Sequence, residues 1–166
     1  GMSVNELIDC VILADQKGYE SAYLIESFAD AFGVLSACAR ETTNIILATG
    51  VATVFTRNPT TIATAAATVD AISEGRFRLG LGIGHSEIHQ ARDNPEPGRP
   101  FPFDRPLRRL RDTTEVVGAI LKGAVEGRLV NYTGQIFQIT DYEPWLHPYR
   151  DTIPFYFGAL SEKTLD

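Results

Sequence analysis

The 166-residue chain is short of positive charge, of cysteine and of long apolar runs, and each shortage excludes something. Fifteen lysines and arginines face twenty-one acidic residues, a net charge of −6 with no basic cluster, so the footprint of a nucleic-acid binder is missing. No apolar run approaches the roughly 20 residues of a membrane span, and no signal peptide opens the chain, so neither membrane nor nucleic acid is an expected partner. The expected compartment is the cytoplasm. The two cysteines, Cys10 and Cys38, both lie in apolar helical patterns and read as buried small hydrophobes, not as a disulfide or a nucleophile. Histidine is scarce too. His85 and His89 flank Glu87, but H-S-E-I-H is not the zinc pattern H-E-x-x-H, and His147 is the only other histidine. Solvated loop histidines or substrate contacts are expected there, and no metal.

What the chain does have is an ordinary globular balance, 44% hydrophobic and 22% charged, enough for one core and one domain over residues 1–166. Gly1 ahead of Met2 reads as a tag scar. The organising stretch runs from Thr56 to Ser86, TRNPTTIATAAATVDAISEGRFRLGLGIGHS. Asn58 suits an N-cap and Pro59 the first helical position, where a missing N–H costs nothing. The helix then runs to Ile72, and Gly75 suits a left-handed closing residue. From Arg76 to Ile83 the pattern alternates: Phe77, Leu79, Leu81 and Ile83 on one side, Arg78, Gly80, Gly82 and Gly84 on the other. Three glycines on one face predict open space beside the backbone.

Before this stretch, Ser3 and Glu6 form a capping box for a helix that Gly18 ends. Ser21 to Ile25 reads as a strand finishing at Glu26. Asp30 caps a second helix from Ala31 to about Glu41, and Ile45 to Val51 reads as a buried parallel strand broken by Gly50. After it, His85 to Asp104 is irregular, with prolines at 95, 97 and 100; so long a loop is usually functional or mobile. Asp104 and Pro106 open a helix to about Lys122, with Gly123 past its end. Leu129 to Ile139 reads as a hairpin turning near Thr133-Gly134, Thr140 to Thr152 as a loop, and Ile153 to Gly158 as a last strand. Strands alternate with helices four times, so the expected fold is α/β, with parallel strands in about four βα units. A closed eight-fold barrel needs about 250 residues, which makes this a partial one.

Three features bear on chemistry. Gly80-Leu81-Gly82-Ile83-Gly84 falls one residue short of the dinucleotide fingerprint G-x-G-x-x-G, and no clear helix follows at once. It reads either as close packing or as bare backbone for a phosphate or a flat ring. Glu26, at the carboxyl end of a strand, is placed to orient a substrate or accept a proton. Asp30 reads mainly as a helix cap. Arg57 either holds a phosphate or carboxylate, or pairs with a loop acid.

The same stretch carries a resemblance. T-R-x-P, the Ala-rich helix, V-D-x-I-S-E-G-R-F and L-G-L-G-I-G resemble the bacterial luciferase-like oxidoreductases, and within them the branch that uses the deazaflavin coenzyme F420 or FMN. The likeness continues through Leu13 to Glu26, Ala29 to Phe32, Asn44 to Val51, Phe101 to Lys122, Asn131 to Phe137 and His147 to Leu165. It implies a partial (β/α)8 TIM barrel with a small hairpin insertion and a cofactor ring at the carboxyl ends of the strands. By position, Thr49, Gly50 and Val51 would lie against the ring at a backbone bulge. Gly84, His85 and Ser86, with Gly158, Ala159, Leu160 and Ser161, would hold the phosphate-bearing tail. Ser161-Glu162 stands where the family usually has Gly-Pro. Glu26 falls where the family has an acidic residue near the ring, and His85 is the second candidate for proton transfer.

The resemblance also implies truncation: a first strand and three later βα units have no counterpart here, leaving strands two to five. Exposed edges would then be covered by a second chain or by more of a longer protein, unless the product is degenerate. Family dimers pack through the helices matching 31–40 and 59–72, so a homodimer is expected. The function implied is hydride transfer between the cofactor ring and a small organic substrate. The alternatives are a non-catalytic flavin-binding or dimer-assembly module of the same fold and, more remotely, a nucleotide binder.

Overall fold

The structure, a computed structural model, describes residues 1–27, 29–92, 96 and 98–159. In chain order the elements are α1 (Val4–Gln16), β1 (Ser21–Leu24), α2 (Ala31–Glu41), β2 (Ile46–Thr49), β3 (Ala52–Thr53), α3 (Pro59–Ile72), β4 (Phe77–Gly82), α4 (Ser86–Arg92), α5 (Pro106–Glu126), β5 (Val130–Thr133), β6 (Gln138–Tyr142) and β7 (Phe155–Phe157). β1 pairs with β2, β2 and β3 pair with successive parts of β4, and β7 pairs with the other edge of β4, all parallel. β2 and β3 are thus one strand interrupted at Gly50-Val51, whose peptide bond is cis. The sheet is α/β and open, a partial barrel, with β5 and β6 as a separate antiparallel hairpin.

Local chemistry explains most boundaries. The Ser3–Glu6 capping box closes in both directions, and Asp30 accepts the N–H groups of Phe32 and Gly33 at 2.9 and 3.2 Å. Asn58 stands at the N-cap of α3, yet its side chain makes no capping bond, so the helix start rests on Pro59 at the first position. Glu74 and Gly75 both take positive φ after α3, and the Gly75 N–H reaches back to Asp70 O at 2.9 Å.

Several expectations are corrected. Ser86–Arg92 is a helix, where none was expected. Arg105, not Asp104, is the residue preceding α5, and α5 runs on to Glu126 with Gly127 as its left-handed stop. Gly123 lies inside it because the hairpin crosses there: a Cβ would sit 2.5 Å from Val130 Cγ2. β6 extends to Tyr142, and β7 is shorter than the expected last strand. Cys38 is buried, its thiol pushed up to about 11 by burial, but Cys10 is exposed because no residue of α1 is fully buried.

The core fills the space between the sheet and helices α2, α3 and α5, with Phe32, Leu35, Ile62, Phe77, Leu79, Leu81, Ile120 and Leu121 at its centre. Two charges, the buried Asp70 and the half-buried Arg76, are tied in. Asp70 meets Arg150 through Nε at 3.0 Å and an Nη nitrogen at 2.7 Å, and the same Nη donates to Phe77 O at 2.8 Å. The Arg76 guanidinium donates to Ala39 O, Thr42 O, Thr42 Oγ1 and Ile45 O, satisfying carbonyls at the end of α2. No described helix is long and apolar enough to cross a membrane.

Candidate functional site

The carboxyl ends of β1, β3 and β4 surround a cleft of about 360 Å³, within the range of small-molecule sites. Its lining runs over Ile25 to Ser27, Gly50, Val51, Thr53, Gly82 to His85, Ile88, His89 and Gly158. Of the residues expected at a site, Glu26, Gly50, Val51, Gly84, His85 and Gly158 therefore meet in one place. Ser86 opens α4 beside it, and Ala159 follows the last lining residue. Leu160 and Ser161 lie outside the described residues.

Thr49 is placed differently. It is fully buried, and its hydroxyl both accepts the Gly80 N–H at 2.9 Å and donates to Gly80 O at 2.8 Å. It therefore laces β2 to β4 just before the bulge instead of facing the cleft. The open space predicted beside the β4 glycines is likewise filled. A Cβ on Gly80 would lie 1.8 Å from Thr49 O, one on Gly82 2.5 Å from Val51 Cγ2, and one on Gly84 2.5 Å from His89 Nε2. The glycines let the bulged strand and the His89 ring come close, and the cleft opens above them.

Glu26 is fixed from two sides. One oxygen accepts the Arg57 Nε–H, and the other accepts the Thr53 N–H at 3.2 Å. Arg57 also reaches Asp30 at 3.3 Å and lies over the Phe32 ring, 5.1 Å from its centroid. Arg57 thus pairs with loop acids. Burial alone would lower its pKa; the hydrogen bond and charge of Glu26, with Asp30 behind, more than offset this and hold it above the usual value. Burial pushes the Asp30 carboxyl up, but the Gly33 N–H and the Arg57 charge bring it below the usual carboxylate range.

His85 is exposed at the rim, whereas His89, expected in solvent or in contact with substrate, is 3% exposed and lines the cleft. Its Nε2 lies 3.2 Å from Ile83 O, which can only accept, so that nitrogen carries the hydrogen. The ring stacks on Phe101 at 5.0 Å and also contacts Phe55 and Phe103. Its spacing from His85 is the sequence signal for it, weighed as a metal pair against loop histidines or substrate contacts. Among the described residues no group of three or more potential metal ligands occurs. Ile25, Ser27 and Thr53, not expected at the site, flank Glu26 or the bulge and could have been found as strand-exit neighbours.

A model of the luciferase-like monooxygenase family matches residues 1–166. A 5,10-methylenetetrahydromethanopterin reductase of Archaeoglobus fulgidus is 28% identical over 99% of this chain and 46% of its own length. An F420-dependent glucose-6-phosphate dehydrogenase of Microbacterium testaceum is 27% identical over 93% of this chain and 47% of its own. The solved structure of the coenzyme F420 dependent tetrahydromethanopterin reductase from Methanopyrus kandleri superposes with a TM-score of 0.85 at 26% identity, covering 98% of this chain and 49% of that one. The chain spans about half the length of the curated relatives it matches.

Proposed function

This chain belongs to the luciferase-like monooxygenase family, and we propose that its cleft binds the ring of coenzyme F420 or FMN for hydride transfer with a small organic substrate. The observation that carries this reading is the composition of the cleft wall. Gly50 and Gly158 line it without side chains, beside the branched side chains of Ile25, Val51, Ile83 and Ile88, while Gly82 and Gly84 let Val51 and His89 close in to shape the wall. Such a slot admits a flat ring, and the relatives named for coenzyme F420 support the same choice.

The bound ring would supply the redox chemistry. The chain's own residues bind, orient and exclude water. Val51 packs against Gly82 and fixes the bulge on which the ring rests, and Thr49 holds that bulge from beneath. Gly84, His85 and Ser86, with Gly158, Ala159, Leu160 and Ser161, take the tail, since strand-exit amides donate to phosphate without needing a cation. Glu26, held by Arg57 and Thr53, presents a carboxylate of fixed direction to orient a substrate N–H or O–H or to take its proton. His85 is the second candidate for that proton.

We further propose that the chain pairs with a copy of itself through residues 31–40 and 59–72. On α3 the hydroxyls of Thr64 and Thr68 turn back to Thr60 O and Thr64 O, and on α2 Ser36 turns back to Phe32 O. The outward face of α3 therefore presents small side chains, and that of α2 does so up to Arg40, which allows close helix approach.

The test of cofactor binding is a fluorescence titration of the purified chain with coenzyme F420 and, separately, with FMN. Saturable binding to one is expected. A folded sample that saturates with neither removes this reading and favours an assembly module of the same fold.

A further inference from the structure

The least regular part of the sequence, the run leading into α5, is fastened to the cleft. Residues 99–103 read Arg-Pro-Phe-Pro-Phe, and the two prolines remove much of the segment's freedom before any contact forms. The Phe103 N–H closes on Phe101 O at 2.7 Å, a tight turn centred on Pro102. The side-chain amide of Gln90 then holds both flanks of Pro100: it donates to Arg99 O at 3.2 Å and accepts from the Phe101 N–H. A residue of a neighbouring parallel strand would make the same pair of bonds, one to each side of its partner. Pro100, between them, has no N–H to leave unpaired.

The rings follow from this. Phe101 stacks on His89 at 5.0 Å, and Phe103 stacks on Phe55 at 4.5 Å. Phe55 lies two residues beyond β3 and carries the Arg109 guanidinium of α5 at 4.8 Å. One column thereby joins α4, the 99–103 segment, the end of the bulged strand and α5. His89 closes the other side: its Nε2 bonds Ile83 O, and its ring occupies the place where a Cβ of Gly84 would lie, at a backbone φ of +67°.

We propose that Gln90 and Phe101 are positioning residues, forming a clasp that seats α4 and through His89 fixes the Gly84–His85 wall of the cleft. The proposal rests on the cofactor reading above for its consequence, but its geometry stands apart from it. Releasing the clasp lets the wall sample positions that do not match the bulge. The apparent dissociation constant of any ring bound there then rises in inverse proportion to the fraction of molecules still matched.

The test compares the full chain with Gln90→Ala, which removes both amide bonds at an exposed position, and Phe101→Leu, which keeps apolar bulk but loses the stack. Amide hydrogen exchange over residues 83–92 and 98–103 is read beside the titration with coenzyme F420 and FMN. Exchange in both segments should quicken by about tenfold or more, while α3 and β4 keep the parental rates, as expected of a local opening. The dissociation constant should rise severalfold in both variants, and Phe101→Tyr, which keeps the stack, should restore both readouts. Unchanged exchange in 83–92 overturns the clasp, and so does faster exchange with unchanged affinity. If the parent binds neither cofactor, the cofactor reading falls, and exchange in 83–92 alone then decides for or against the clasp.

Discussion

Asp15 illustrates how a single side chain sets a boundary in this fold. Its carboxylate accepts the N–H groups of Thr43, Asn44 and Ile45 at 3.0, 3.0 and 2.7 Å, closing the turn between α2 and β2. The Thr43 N–H, more than the Ile45 and Asn44 amides and the Arg76 charge, holds it below the usual carboxylate range against a smaller effect of burial. A carboxyl depressed in the folded state stabilises fully above its unfolded value of about 3.9, and that contribution fades as pH falls through the lower folded value. Asp15→Asn should therefore cost on the order of 1 kcal/mol at pH 7, since the site is partly open to solvent. In urea titrations the gap between the two proteins should narrow as pH falls below the unfolded value of about 3.9. A constant gap down to pH 2 would assign the loss to geometry instead of charge. None of this was legible in the sequence, where Asp15 sits 28 residues from Thr43 with no motif between them. The caps at Ser3 and Asp30 were legible because their partners lie within three residues.

Among the elements, α3 and β4 were readable from pattern alone, since Pro59, an apolar run and Gly75 mark the helix and alternation marks the strand. α4 was missed because seven residues, Ser-Glu-Ile-His-Gln-Ala-Arg, are too few to display a helical period. The β4 glycines were read as space because a sequence records the missing Cβ but not what lies opposite; Thr49 O and Val51 do. Of the site, the positions at strand exits were found, while the clasp was not, since it depends on a turn that brings residue 101 back to residue 90. The same limit hid the bond between α3 and the segment before β7. Asp70 has no exposed surface, so Arg150→Ala leaves a buried carboxylate without its cation and should cost about 3–5 kcal/mol, read as a lower urea midpoint. The double variant Asp70→Asn with Arg150→Met should be more stable than Arg150→Ala alone. If it is not, the pair contributes through shape and not charge.

For the whole molecule, the open sheet and the small-residue faces of α2 and α3 make self-association the quantity to measure. Sedimentation equilibrium at micromolar concentration should give twice the mass of one chain. A larger residue on the outward face, Thr64→Tyr, should shift the species to one chain with the far-UV spectrum kept. A monomeric parent at that concentration would remove the proposed dimer. The run of strand contacts from β1 through β7 also has a direction in time. Asp70 and Arg150 are 80 residues apart, which at about 5–20 residues per second of synthesis is roughly 4–16 s on the ribosome. Over that interval the Asp70 carboxylate lacks the cation that compensates its burial, so α3 has reason to stay unseated. The later arrival of Arg150 ties the seating of α3 to the segment before β7, so this part of the sheet does not set before both are made.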